Sequence, residues 1–69
     1  MTRFTVTAAE LDKVTTPFTV THIDGSTYPT IAVELVKSYP DMIILVRTEE
    51  DWGPDVALRP DSKITVRVG

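Results

Sequence analysis

The sequence predicts a mainly β fold: a short N-terminal helix, then a five-stranded and strongly bent antiparallel sheet that closes into a small barrel. Three observations predict it. β-branched and aromatic residues fill the segments between prolines and between Asp-Gly and Pro-Asp pairs, as strands bounded by turns require. Apolar residues recur at every second position through Phe18–Val20, Ile31–Leu35 and Ile64–Val68. One stretch, Tyr28–Tyr39, is long for a single strand in a chain of 69 residues, so it has to bend to serve two parts of one sheet. The length sets one domain, residues 1–69, near the lower limit at which a core alone suffices. Without cysteine there is no disulfide and no thiolate ligand, so stability must come from a dense core, from self-association, or from both.

The tetrapeptide FTVT occurs twice, as Phe4–Thr7 and Phe18–Thr21. After the first copy, Thr7 and Glu10 stand at capping-box spacing, and Val6 with Leu11 at hydrophobic-staple spacing. Leu11 and Val14 share a face, and Pro17 closes the segment because the residue before proline leaves the helical region. This copy therefore predicts an extended lead-in to a helix over Ala8–Val14. The second copy runs into His22-Ile23-Asp24-Gly25, where Asp-Gly between β-rich runs marks a hairpin. It predicts a strand. With nothing shared in their flanks, the two copies are chance recurrence rather than a repeat.

The remaining strands are cut by prolines. Pro40-Asp41 turns the long strand, and Met42–Thr48 is apolar on both faces at its start, as a central strand should be. Glu49–Asp55 is an acidic loop, Val56–Arg59 a short strand, Pro60-Asp61-Ser62 a turn, and Lys63–Gly69 a regularly alternating last strand. The expected core is Phe18, Val20, Ile31, Val33, Leu35, Ile44, Val46, Leu58, Ile64 and Val66.

Net charge is −3 with no basic tail, which disfavours a sequence-independent grip on nucleic acid or anionic lipid. The longest apolar run, Met42–Val46, is far short of the ~20 residues that cross a bilayer, and no basic-apolar leader is visible. No membrane association and a cytoplasmic location are the expectations, and size and composition suggest a bacterial or phage source. No cofactor is expected. The three glycines are scattered, so there is no phosphate loop, and the acidic loop lacks the alternating spacing of a cation site. His22 is the only histidine, and the serines lie in turn contexts, so no set of groups for nucleophilic catalysis is present and the chain is read as a non-enzyme.

The segment FTVTHIDGSTYPTIAVELVKSYPDMIILV resembles the first motif of the Sm and Sm-like family, and ALRPDSKITVRV is similar to its second. The resemblance covers most of the chain from Ala8 to Val68 and implies a small Sm-like, SH3-like barrel. It also implies a base pocket built from the turn at Tyr39, Asp41 and Met42 and the turn at Arg59 and Asp61. Where the family carries an Asn after Met, this chain has Ile43, which cannot hydrogen-bond a base edge, and Pro60 replaces a turn glycine. RNA as a partner is thus disfavoured by Ile43 and by the acidic charge.

Two other features concern partners. Trp52 is the only tryptophan, in a loop where no strand pattern demands it, and either plugs one end of the barrel or is an exposed anchor for a protein partner. The last strand lies where Sm-like subunits join, so an open edge carrying Ile64, Val66 and Val68 is expected to pair with another copy. Four basic residues gather in the C-terminal half, Arg47, Arg59, Lys63 and Arg67, and either form ordinary ion pairs or, gathered on one face, meet phosphates. The expected function is a non-catalytic interaction and assembly module, a homo-oligomer joined through strand edges. The alternative is an Sm-like RNA-binding protein with a degenerate uridine pocket.

Overall fold

The computed structural model describes residues 2–51 and 53–68. Strand β1 (Thr2–Thr7) leads into a 3-10 helix (Ala8–Lys13). Five strands follow: β2 (Phe18–Ile23), β3 (Ser26–Tyr39), β4 (Met42–Arg47), β5 (Val56–Leu58) and β6 (Lys63–Val68). All pair antiparallel in one open sheet, ordered β1-β6-β2-β3-β4-β5. The mainly β, antiparallel class is as the sequence predicts. The sheet has six strands rather than five, and it begins with a strand rather than a helix.

The extra strand is the first FTVT. Its residues pair with β6 from Thr2↔Val68 to Thr7↔Lys63, which turns Phe4 and Val6 toward the core and Arg3, Thr5 and Thr7 outward. An extended segment becomes a strand only when it finds a mate, and this mate lies 60 residues away. The same pairing corrects the expected open edge. β6 is flanked by β1 on one side and β2 on the other, and Ile64 and Val66 are 0% exposed. Ile64, Val66 and Val68 therefore belong to an interior strand, and the free edges are β1 and β5. Nor does β5 pair with β6: its neighbour is β4.

The helix is a six-residue 3-10 segment with Ala8 and Leu11 fully buried. Thr7 and Glu10 do meet, the Thr7 hydroxyl donating to Glu10 Oε1 at 3.0 Å, but the reciprocal capping box does not form. The first-turn amides, which have no partner within the helix, are satisfied from the far end of the chain instead. Ala8 N–H donates to the Ser62 carbonyl at 2.8 Å and Ala9 N–H to the Pro60 carbonyl at 3.1 Å. At the β2–β3 hairpin Asp24 (φ 51°) and Gly25 (φ 83°) both take positive φ, the two-residue turn that Asp-Gly favours. Asp24 also clamps the start of β6: its N–H donates to the Lys63 carbonyl at 2.7 Å, and its Oδ1 accepts the Lys63 N–H at 2.9 Å.

Two irregularities set which side chains face the core. Thr21 is skipped in the pairing of β2 with both β3 and β6. In β3 the register against β4 shifts between Val33 and Leu35. An extra residue inverts everything beyond it. Leu35 consequently points outward at 50% exposure, while Val36 turns in opposite Leu45. The expectation that Leu35, Ile44 and Val46 line the core is corrected: Ile43 and Leu45 do so, at 1% and 0% exposed. Phe18, Val20, Ile31, Val33, Ile64 and Val66 are buried as expected, and Leu58 is half-buried because no strand lies beyond β5. The core forms a single cluster drawn from β2, β3, β4, β6 and the helix, within extents of 28 × 22 × 21 Å.

Candidate interaction surface

Inversion at the bulge leaves β4 apolar on both faces but covered on only one. Leu35 stands opposite Val46, Lys37 opposite Ile44, and Tyr39 opposite Met42, all on the outward side of the β3–β4 hairpin. Ile44 is in turn opposite Ala57 of β5. Leu35, Tyr39 and Met42 are 50%, 47% and 37% exposed, so an apolar strip interrupted by Lys37 runs to the free β5 edge. On the other face of β5, Val56 and Leu58 pack against the core yet are only half-buried. Exposed apolar side chains beside an unpaired strand are where a partner strand can dock.

The five residues that the family resemblance assigns to a base pocket fall into two groups. Tyr39 and Met42 are register partners flanking the Pro40-Asp41 turn. Arg59 and Asp61 form an ion pair at 3.6 Å with side chains 83% and 77% exposed. The β4–β5 register, reaching Ile43↔Leu58, sets the two turns at the same end of neighbouring strands. The shallow cleft at Arg59, of about 210 Å³, is lined by Asp24, Arg59, Asp61 and Ser62 and takes in none of Tyr39, Asp41 and Met42. Ile43 is turned into the core. Trp52, the candidate partner anchor, lies outside the described residues.

The four C-terminal cations divide two and two. Arg47 and Arg59 lie within 3.4 and 3.6 Å of carboxylates, the second contact fully at the surface, whereas Lys63 and Arg67 sit on the outward face of β6, and Arg67 stands opposite Arg3 of β1. Like charges directly opposite each other weaken a strand pair. A hydrogen-bonded run of hydroxyls lies beside them: Thr5 Oγ1 and Thr65 Oγ1 are 2.8 Å apart, and Thr21 Oγ1 donates to the Thr65 carbonyl at 3.3 Å. His22 Nδ1 is 3.0 Å from Thr21 Oγ1 and joins this run as a strand residue.

The acidic loop is not uniformly solvated. Asp51 is half-buried and its Oδ2 accepts the Ala32 N–H at 2.6 Å, while the Ala32 carbonyl accepts the Thr48 N–H at 2.9 Å. Arg47, in register with Val33, reaches Asp51 Oδ2 at 3.4 Å and donates through Nε to the Pro54 carbonyl at 3.1 Å. Glu49 and Glu50 of the loop and Glu34 of β3 line an open cleft of about 470 Å³ with Pro17, Ala32 and Thr48. Among the described residues no group of three or more His, Cys, Asp or Glu is placed to hold a metal ion, and no helix is long and apolar enough to cross a membrane. No family model, curated protein or solved structure matches this chain.

Proposed function

We propose that this protein is a non-catalytic assembly module, an Sm-like small barrel that self-associates through its strand edges. The observation that carries the reading is β5: a free edge whose inward residues Val56 and Leu58 remain half-buried and whose outward neighbours are apolar. A second copy paired there would extend the β ladder and complete the burial that the chain alone leaves unfinished. The barrel reading is supported by the long β3, whose register against β4 shifts between Val33 and Leu35, as the bent strand expected from the sequence requires. Sedimentation equilibrium over a wide concentration range tests the assembly. The expected result is an average mass rising well above the 7.7 kDa of one chain. A constant monomer mass at several hundred micromolar would overturn it.

A second reading, RNA binding, is favoured by the outward cations Arg3, Lys63 and Arg67 on the β1–β6 face. It predicts salt-dependent binding of a short U-rich RNA, measured by fluorescence anisotropy, that is lost on reversing the Arg3 and Arg67 charges. Equal binding by the reversed-charge variant removes this reading.

A further inference from the structure

We infer that two copies join at β5 about a two-fold axis passing between their Ala57 residues, in a register fixed by reciprocal Asp55–Arg59 pairs. This rests on the self-association proposed above and specifies its geometry. The segment Pro54-Asp55-Val56-Ala57-Leu58-Arg59-Pro60 is self-complementary when read against its own reverse. In an antiparallel pair centred on Ala57, Asp55 of each copy meets Arg59 of the other, Val56 meets Leu58, and Pro54 meets Pro60. Opposite charges across a strand pair stabilise it, and a shift of one residue would break both pairs at once. The prolines lack an N–H, so pairing cannot extend past the five residues between them.

The fold puts these residues where the pairing needs them. β5 is the last strand of the sheet, with β4 on one side only. Residues 55, 57 and 59 alternate with the inward Val56 and Leu58, and all three are exposed. Among the described residues the Arg59 guanidinium has one ion pair, the exposed contact to Asp61 at 3.6 Å, a pairing weak enough to be exchanged. The other free edge offers no such match. β1 carries a single charge, Arg3, and cannot oppose a copy of itself with unlike charges. Because β1 also covers β6, a β5-to-β6 contact between copies is blocked, and an isologous contact closes at two subunits rather than growing into a ring.

Charge reversal distinguishes this geometry from any other edge contact. Asp55→Arg and Arg59→Asp each replace two attractive pairs by two repulsive ones. Each variant is expected to weaken the dimer by about tenfold or more in sedimentation equilibrium. Both positions are exposed, so circular dichroism of the dilute variants should match the wild type. An equimolar mixture of the two variants restores unlike pairs across the axis and should recover a dimer, as should the double variant Asp55→Arg/Arg59→Asp. If the single variants associate like the wild type, or if neither the mixture nor the double variant recovers the dimer, this pairing is wrong while self-association stands. Wild-type mass that grows past two copies would equally overturn the two-fold contact. A wild type that stays monomeric overturns the self-association and the pairing together. Should either variant misfold, amide exchange of the wild type supplies the second measurement. Protection of Val56–Leu58 must rise with protein concentration, and concentration-independent exchange there overturns the pairing.

Discussion

Asp51 stands in for a strand mate. Just beyond the end of β4, Ala32 of β3 turns its N–H and carbonyl to that side, where the carbonyl accepts the Thr48 N–H and the N–H meets the Asp51 carboxylate, 2.6 Å away. Removing that carboxylate leaves a part-buried donor without a partner and releases Arg47 as well. Asp51→Ala should therefore destabilise by about 1–3 kcal/mol in denaturant unfolding. Asp51→Asn keeps an acceptor for Ala32 and should cost less. Equal losses for the two variants would show that the ion pair with Arg47, not the bond to Ala32, carries the effect. The turn at Gly25 gives a purely conformational counterpart. A Cβ there would meet nothing within 4 Å, but φ of 83° strains any other residue, so Gly25→Ala should cost about 1 kcal/mol. A neutral result in thermal unfolding would mean that the hairpin relaxes to another turn.

The phase of β4 is a property of the element. Its sequence, Met-Ile-Ile-Leu-Val, offers apolar side chains to either face, and only the register shift between Val33 and Leu35 selects Ile43 and Leu45 for the core. Leu45→Ala should cost about 2–5 kcal/mol, as truncation of a fully buried side chain does, whereas Ile44→Ala, on the outward face, should cost under about 1.5 kcal/mol in dilute protein. The opposite order would restore the unbulged register. The 3-10 helix gives a second element-scale test. Its first two amides are bonded to carbonyls of the Pro60–Ser62 turn, so Ala8 and Ala9 should exchange as slowly as sheet amides, although a six-residue helix alone would protect neither. Fast exchange at both positions would show that the helix is not docked on that turn.

At the scale of the whole molecule, β1 and β6 bring residues 2–7 against residues 63–68, and β2 pairs with β6 across a similar span. Two of the five strand pairings therefore join distant segments of the chain. Folding should proceed in milliseconds to seconds rather than microseconds, as stopped-flow refolding can measure. Microsecond refolding would mean that the local hairpins β2–β3 and β3–β4 carry the transition state alone.

The division between sequence and tertiary structure follows from the range over which each feature is decided. Local chemistry sufficed for the Asp24-Gly25 hairpin, the Pro40-Asp41 and Pro60-Asp61 turns, the mainly β class, the inward phase of β6 and that of β2 up to Val20, because glycine, proline and alternation act within a few residues. It also contained the self-complementary segment from Pro54 to Pro60, which has no meaning until β5 is known to be a free edge. Three things were decided only by tertiary contacts. The first FTVT became a strand because β6 was there to pair with it, and that pairing withdrew Ile64, Val66 and Val68 from any open edge. The capping-box spacing of Thr7 and Glu10 did not form a capping box, because carbonyls of the distant turn took the helix amides. And the faces of β4 were set by one extra residue in β3: alternation fixes which residues share a face, but a strand apolar on both sides takes its choice of face from its neighbour's register.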